Sequence, residues 1–298
     1  MSFEAIILVI ISACLHAGWN LIGKKQSPSQ AFFMLSTLFG VLILSPWLLW
    51  VWQRLPALSE PFWLWLLLSG FFQAIYVSGL AWAYEKGDLS LSYPLARALP
   101  VAFVPLVYWF IFQQSHLQLY HFLALSLIIL GAILTPLTHI RDWRWQYYYQ
   151  PTMLFVLLAA LGTTGYSIVD GIAVQTLTQA SQMTAYEAGA TYVLLQGMSC
   201  LLWLAPWALS QSKQRQQAYL LLTKPLWAIA AGIFIMLTYL LILASFALVD
   251  EVSFVVAFRQ ISIPIGVLAS IIWLQERLSV VRGVAVGLMF CGVVLISI

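Results

Sequence analysis

Ionised side chains are scarce in this sequence. Only 8% of its 298 residues are charged, 62% are apolar, and the mean hydropathy is +0.93. Soluble globular domains carry about 25% charged residues, so this composition excludes a soluble enzyme. The net charge of +3 comes from 13 basic and 10 acidic residues, too few to form a basic face. Nucleic acid is therefore not an expected partner.

Cysteine and histidine are also rare. The three cysteines, Cys14, Cys200 and Cys291, each lie inside an apolar run, and the four histidines are scattered. Without CxxC or Cys/His spacing, the pattern predicts neither a disulfide framework nor a metal site, and no cofactor is indicated. No Walker-type loop is present to bind ATP, so any transport is expected to draw on a solute or ion gradient.

Long apolar runs fill most of the chain. A helix that crosses a bilayer needs about 20 mostly apolar residues. Charged residues, glycine and proline separate runs of that length and predict ten spans, at residues 3–23, 30–52, 61–84, 89–112, 117–138, 152–177, 183–209, 224–248, 252–275 and 280–298. These runs are too long and too uniformly apolar for barrel strands. The expected fold is an all-α integral membrane protein in a lipid bilayer.

An internal repeat is visible between two sets of five spans. The sets occupy residues 1–140 and 152–298, and a loop at 141–151 joins them. Matching residues recur at a separation of roughly 160, namely Pro46 with Pro206, Gly70 with Gly232, Tyr84 with Phe246 and Arg97 with Arg259. Because five is odd, the second set would enter the membrane from the opposite face, which gives an inverted repeat typical of transporters. Chance alignment of apolar stretches is the alternative, and the matched arginines weigh against it.

Short motifs resemble a known family. The stretch Trp-Leu-Gln-Glu-Arg-Leu at 273–278, followed by Gly283, Gly287 and Gly292, is similar to the "GE-x-L" turn and the glycine-bearing last helix of EamA-type, ten-helix members of the drug/metabolite transporter superfamily. Here Gln275 stands in the place of the family's glycine. The first half carries a degenerate copy, in which Gln114 replaces the acid and Gly131 follows. Residues 16–20 with Lys24 resemble the family's first helix.

The resemblance implies two inverted five-helix repeats around a central substrate cavity, with both termini in the cytoplasm. It does not imply a particular substrate. The Lys and Arg residues at the span ends divide ten to one between the two faces, with only Arg54 on the minority face. That bias favours termini outside the cell, so the sequence leaves the orientation open.

Two arginines lie deep within predicted spans. Arg97 lies about 12 Å into the fourth span and Arg259 about 10 Å into the ninth, at about 1.5 Å per residue. A charged side chain at the centre of a spanning helix costs about 2.5–3.5 kcal/mol, so both should face water or the bundle interior. They could bind a substrate carboxylate or phosphate through bidentate hydrogen bonds. Alternatively, helix-end carbonyls or a buried acid satisfy them and they lock the bundle.

Prolines and glycines suggest local irregularities. Pro94, Pro100 and Pro105 fall in the fourth span and Pro264 in the ninth, so bends or broken turns are expected beside the arginines, for a cavity or for packing alone. The spacing of Gly283 and Gly287 predicts close helix packing.

Three charged residues are candidates for ion coupling. Asp170 and Glu187 are acids inside apolar runs, and Lys24 ends the first span. A carboxyl group away from water gains and loses a proton closer to neutral pH, which would suit proton coupling. For Asp170, pairing with Arg97, Arg259 or Lys24 is an equal alternative. Glu187 also suits a first-turn acid that complements its helix N-terminus.

Rings and amides near mid-span are the remaining candidates for substrate binding. Their rings can stack on a planar solute while a polar atom forms a hydrogen bond. The set consists of His16, Trp19, Asn20, Tyr76, Trp82, Tyr93, Tyr166, Tyr239 and Gln260. Each ring taken alone is more often a packing residue, and His16 fits a hydrogen bond to a carbonyl equally well.

These features favour a secondary transporter of small polar or amphipathic metabolites, such as amino-acid-like or aromatic solutes, working by alternating access with proton coupling as an option. The expected location is a bacterial inner membrane, and the oligomeric state is open. An intramembrane lipid-modifying enzyme would need clustered nucleophile, base or metal groups. A structural subunit would lack polar groups that converge at mid-depth.

Overall fold

The computed structural model describes residues 3–26, 28–110, 119–139, 141, 144–181, 183–246 and 259–296. Gln114 and the beginning of the ninth predicted span, residues 252–258, lie outside the described residues.

Every regular element of the described residues is helical. In chain order the helices are α1 Phe3–Gln26, α2 Gln30–Leu44, α3 Leu48–Val51, α4 Glu60–Lys86, α5 Leu89–Phe110, α6 Leu119–Leu134, α7 Pro151–Ser181, α8 Ala185–Ser210, α9 Ser212–Thr223, α10 Leu226–Phe246, α11 Ser262–Leu274 and α12 Val280–Ile296. Short 3₁₀ turns occupy Ser45–Trp47, Trp52–Ala57, Trp145–Tyr147 and Arg259–Ile261.

Six of these stretches are long and apolar enough to cross a membrane: Ile6–Gln26, Gln30–Leu55, Glu60–Lys86, Leu89–Val107, Pro151–Val174 and Tyr186–Ser210. A seventh candidate joins α9 to Leu226–Ile242 across a bend of 96°. Shorter apolar helices cover Leu119–Leu134, Arg259–Leu274 and Val280–Leu295. The chain is thus an all-helical, multi-pass membrane protein, with six or seven span candidates among its described residues.

One predicted span agrees with the structure and one predicted loop does not. The span expected at 30–52 corresponds to the apolar stretch Gln30–Leu55, within which α2 is followed at Ser45–Trp47 by a 3₁₀ turn that contains Pro46. Proline has no N–H to donate to the next helical hydrogen bond, which favours this change of helix type. Residues 210–223, predicted to be a loop, instead contain the last residue of α8 and the helix α9. This helix is too short and polar to read as a span, and Gln214 Oε1 secures it by accepting a hydrogen bond of 2.9 Å from the Ala31 amide.

The helix ends follow from local chemistry. Ser29 caps α2, where its hydroxyl accepts a hydrogen bond of 3.2 Å from the Phe32 amide. Helix α11 ends at Gln275, which has φ 55° and is therefore in the left-handed region. Glycine adopts this conformation without steric cost, which explains the glycine that the resemblance predicts at this position.

The predicted breaks at prolines occur at only one of the two places. Helix α5 stays helical through Pro94, Pro100 and Pro105, so no broken turn is found there. In the ninth span, a 3₁₀ turn precedes α11, and Pro264 lies in its first turn. Proline cannot donate to the carbonyl four residues earlier, that of Gln260, which favours a change of helix type at this point.

Close packing between α4 and α7 depends on glycine. A Cβ at Gly79 would lie 2.7 Å from the Ala159 nitrogen and 2.8 Å from the Phe155 carbonyl oxygen, both backbone atoms of α7. Helix α12 approaches α6 closely at Gly292, where a Cβ would lie 2.7 Å from the Ala124 carbonyl oxygen. The prediction of close packing at Gly287 was wrong, because a Cβ there meets nothing within 4 Å.

We expect Gly79→Ala to destabilise the protein by about 1–3 kcal/mol, since the added methyl forces two backbones apart. Gly287→Ala is the matched control. Alanine forms helices better than glycine, so this change should raise the free energy of unfolding by up to about 1 kcal/mol. Thermal unfolding of both purified variants in detergent checks this. Equal melting temperatures for the two variants would mean that the α4–α7 contact is not tight.

Candidate functional site

Five of the predicted binding residues form a continuous series of rings inside the bundle. Ring centroids are separated by 6.0 Å between Tyr93 and His16, 5.2 Å between His16 and Trp19, 6.5 Å between Trp19 and Tyr76, and 5.7 Å between Tyr76 and Tyr166. We call these five residues the aromatic cluster. It draws side chains from α1, α4, α5 and α7, so it lies where residues from both parts of the chain meet.

Arg97 lies one helical turn after Tyr93 on α5 and reaches the turn before α11. Its Nη2 donates hydrogen bonds to Gln260 Oε1 at 3.0 Å and to Ser262 Oγ at 3.3 Å. Both acceptors are neutral, so these bonds orient the guanidinium group without neutralising it. Among the described residues, Arg97 therefore has no acid that compensates its positive charge at the aromatic cluster.

Arg259 begins the same 3₁₀ turn and is half-buried. It is close enough to Arg97, Tyr76, Tyr166 and Tyr239 to interact with them electrostatically. Within the described part of the chain, its guanidinium group makes no hydrogen bond or ion pair. Two like charges are thus held near each other, with no acid from the described residues between them.

Several polar atoms around this pair are shielded from solvent and have no hydrogen-bond partner among the residues that the structure describes. They are His16 Nε2, Tyr93 Oη, Arg97 Nε and Thr163 Oγ1. A buried polar atom without a hydrogen bond costs about 1–3 kcal/mol, so such groups call for a ligand or water. Their concentration beside the arginines marks this region as the candidate binding site.

Asn20 supports the site from α1. Its Nδ2 donates to the His16 carbonyl at 2.7 Å, and its Oδ1 accepts from the Tyr84 hydroxyl at 2.6 Å. Through these two hydrogen bonds Asn20 connects α1 to α4. The sequence did not identify Tyr84 as the partner of Asn20. The only signal at Tyr84 was its match with Phe246 in the internal repeat.

Asp170 lies one helical turn beyond Tyr166 on α7 and forms a second buried cluster. Its Oδ1 accepts hydrogen bonds of 2.5 Å from the hydroxyls of Ser69 and Tyr192. Gln196 Nε2 donates to Asp170 Oδ2 at 2.7 Å and to Ser69 Oγ at 2.9 Å. Of the alternatives that the sequence left open, the ion pair is not found, because none of the described cations lies within 4 Å of Asp170.

Comparison with known proteins gives a match to one family model. Residues 3–137 match the model of the EamA-like transporter family. The match covers less than half of the 298 residues. Over these residues it agrees with the resemblance that the motifs indicated.

A likeness of fold covers nearly the whole chain. One solved structure, described only as "Crystal structure of protein", shares 15% sequence identity and a TM-score of 0.54 with this chain, covering 99% of it and 96% of the other chain. At this identity the likeness concerns the fold alone. No curated protein matches the sequence.

The turn between α4 and α5 is held by three charged residues from other parts of the chain, which we call the clamp: Lys24, Glu276 and Arg282. Glu276, the acid of the "GE-x-L" motif, accepts hydrogen bonds of 2.7 Å from the amides of both Leu89 and Ser90. A carboxylate suits these positions because the first amides of α5 have no partner within the helix.

Lys24 and Arg282 hold the two sides of that turn. Lys24 Nζ donates to the carbonyls of Tyr84 and Gly87, at 2.5 and 2.6 Å. Arg282 lies 3.3 Å from Asp88 and donates to Ser90 Oγ at 3.1 Å. Lys24, predicted as a coupling residue, thus extends from the last turn of α1 to two carbonyls at the end of α4. The sequence suggested no function for Arg282, because nothing in its surroundings marked it as buried.

The other predicted residues divide between the two clusters and the periphery. Tyr239 lies close enough to both Asp170 and Arg259 to interact with each electrostatically. Trp82 packs against Phe155 and Trp207, with ring centroids at 5.3 and 5.6 Å. None of its described ring contacts involves the aromatic cluster.

Glu187 lies at a helix end. It forms a capping box with Thr184 at the start of α8 and an ion pair of 3.2 Å with Arg54. These contacts are those of the first-turn acid that the sequence offered as the alternative to coupling.

Proposed function

We propose that the protein is a secondary transporter that moves small polar or amphipathic metabolites, amino-acid-like or aromatic solutes, by alternating access around a central site. The observation that carries the proposal is the pair Arg97 and Arg259. Two guanidinium groups at the meeting point of apolar helices suit a polar solute that enters and leaves, because they lie beside edge-to-face rings and polar atoms without a partner among the described residues.

The pattern of helix contacts supports ten spans in two inverted repeats, residues 1–140 and 152–298. In such a repeat α1, α2, α4, α5 and α6 correspond to α7, α8, α10, α11 and α12. Exchanging the members turns the contact of α4 with α7 into that of α10 with α1, and the contact of α2 with α10 into that of α8 with α4. Each of these contacts is present, as are the self-related contacts of α6 with α12 and α5 with α11.

The clamp supplies a closed end for such a cycle. It joins α1 and the α4–α5 turn to residues near the end of the chain through hydrogen bonds and one ion pair. Charged contacts of this kind can break and re-form without unfolding a helix. In the proposed cycle they form when this end closes and separate when it opens.

Asp170 is the proposed coupling residue. As a carboxylate it accepts three hydrogen bonds, and as a neutral acid it would have to donate one. Proton binding would therefore rearrange contacts between α4, α7 and α8. Because Tyr166 is one turn away on α7, the rearrangement would reach the aromatic cluster.

Counterflow in liposomes tests the transport proposal. Vesicles of bacterial inner-membrane lipid, the proposed native environment, are loaded with a mixture of amino acids and aromatic acids and diluted into labelled members of the same set. We expect saturable accumulation of at least one labelled solute above protein-free vesicles. Accumulation of none, with protein that is folded by thermal unfolding, would contradict transport of this class.

Glu276→Ala should shift the conformational equilibrium away from the closed clamp. The change removes the acceptor of two backbone amides, each worth about 1.5–3 kcal/mol when the partner is charged. We expect at least about a tenfold rise in the rate at which a thiol reagent, added on the clamp side, reaches a cysteine introduced at Thr163.

Lys213→Ala is the control, because Lys213 pairs with Glu85 at 2.8 Å on the exposed surface and contributes little to either state. Equal labelling rates in the two variants would mean that the clamp does not close the site.

A further inference from the structure

We infer that the solute bound between Arg97 and Arg259 is a small organic anion with a planar or aromatic body, recognised through its carboxylate or phosphate oxygens. This inference rests on the proposed function and names the substrate class of that site. Under this inference, neutral solutes and amines are not substrates of the site.

The charge balance at the site favours an anion. Five acids of the described residues have partners other than Arg97 and Arg259. Glu187 pairs with Arg54, Glu85 pairs with Lys213, Asp88 pairs with Arg282, and Glu276 accepts hydrogen bonds from the amides of α5. Asp170 has its three neutral donors. The two central guanidinium groups therefore repel each other with no compensating acid among the described residues, and an anion between them would remove that repulsion.

The hydrogen-bond donors at the site suit carboxylate or phosphate oxygens. Arg97 Nε is an unused donor, and the guanidinium nitrogens of Arg259 have no partner among the described residues. Guanidinium groups match carboxylate and phosphate in geometry, because two parallel N–H groups meet two oxygens. Tyr93 Oη and His16 Nε2 also have no hydrogen-bond partner in the part of the chain that the structure describes, and each can donate to an anion.

The rings at the site suit a solute with a planar part. Trp19, Tyr76 and Tyr166 lie in an edge-to-face series, with interplanar angles of 85° and 64°. Side chains in this arrangement offer both faces and edges to a flat molecule. A solute that places its anionic group at the arginines can therefore rest its planar part on the aromatic cluster.

A charge series of matched probes tests the inference on the purified full-length protein in detergent. The probes are 3-phenylpropanoate, phenyl phosphate, 3-phenylpropanamide and 3-phenylpropylamine, with binding measured by calorimetry. We expect at least one anion to bind at least about tenfold more tightly than the amide, and the amine to bind more weakly still. Tighter binding of phenyl phosphate than of the carboxylate would assign a phosphate ligand, and the reverse order a carboxylate.

Variants separate the site from general anion attraction. Arg259→Gln should weaken binding of the anions at least about tenfold and leave the amide unchanged, whereas Arg54→Gln, a surface control, should change neither. Arg259→Lys should restore part of the affinity, because it keeps the charge but loses the paired donors. Equal binding of the amide and the anions, tighter binding of the amine, or no binding of either anion would overturn the inference.

Counterflow with the same probes distinguishes the two proposals. Exchange of the amine without exchange of either anion would leave transport standing and reject the anionic substrate class. Binding of an anion that depends on Arg259, without exchange of any probe, would retain the anion site and reject transport.

Discussion

Counterflow falls by at least about 100-fold when either Arg97 or Arg259 is replaced by glutamine, if the two guanidinium groups hold the solute. A hydrogen bond to a charged partner contributes about 1.5–3 kcal/mol, and each arginine can make two to one anionic group. Each 1.4 kcal/mol corresponds to a factor of ten, so losing both bonds exceeds a factor of 100. The measurement is the initial rate of labelled solute accumulation in vesicles with equal amounts of folded protein.

The two variants should differ in stability. Arg97 also donates to Gln260 and Ser262, so Arg97→Gln removes contacts that fix the turn before α11. Arg259 makes no such contact within the described residues, and its replacement should leave thermal stability unchanged or raise it by relieving repulsion. Wild-type flux in folded protein of both variants would remove the arginines from the binding site.

Asp170→Asn is expected to abolish the response of transport to an imposed pH gradient while leaving counterflow at equal pH within about a factor of three. Asparagine keeps the size of the side chain and can accept from Ser69 and Tyr192, but it cannot bind and release a proton. The groups that face Asp170 are Tyr192 and Gln196 on α8, Ser69 on α4 and Tyr239 on α10. No other carboxylate of the described residues contacts this cluster.

Labelled solute uptake, with and without a pH difference across the vesicle membrane, checks this prediction. Tyr192→Phe is the matched control, because it removes one hydrogen bond to Asp170 and keeps the titrating carboxyl. It should alter the pH at which the response is half-maximal but retain the response. A pH response that survives in Asp170→Asn would assign coupling to another group.

Much of the helical framework could be predicted because spanning helices are set by length and hydropathy. The predicted bounds for α1, α4, α8 and α10 agree with the structure to within a few residues. The pattern failed where it lacks a signal. The polar helix α9 is too short and hydrophilic to register as a span, and the change of helix type at Pro46 lies inside an otherwise apolar run. Close packing at Gly292 rather than Gly287 depends on which helix face meets α6.

The site could be predicted in part. A charge or ring deep in an apolar run is expected to face the bundle interior. On this basis the sequence predicts all five members of the aromatic cluster as binding residues, and the structure places their rings in contact. It did not find Ser69 and Gln196 as partners of Asp170, because small polar residues are common in membrane helices and carry no distinctive spacing. Nor could it place Lys24 on the carbonyls of α4, since that contact depends on how two helix ends meet.

Access of water to the central site from both sides of the membrane is the most direct test of the proposed cycle. A cysteine is introduced at Thr163, half-buried beside Tyr166, after Cys14, Cys200 and Cys291 are replaced. Ala160→Cys, fully buried one turn earlier on α7, is the control. We predict that a membrane-impermeant thiol reagent labels position 163 from either face, that solute protects it, and that position 160 stays unlabelled. Labelling at 163 from neither face, or equal labelling at 160, would contradict the proposed cycle.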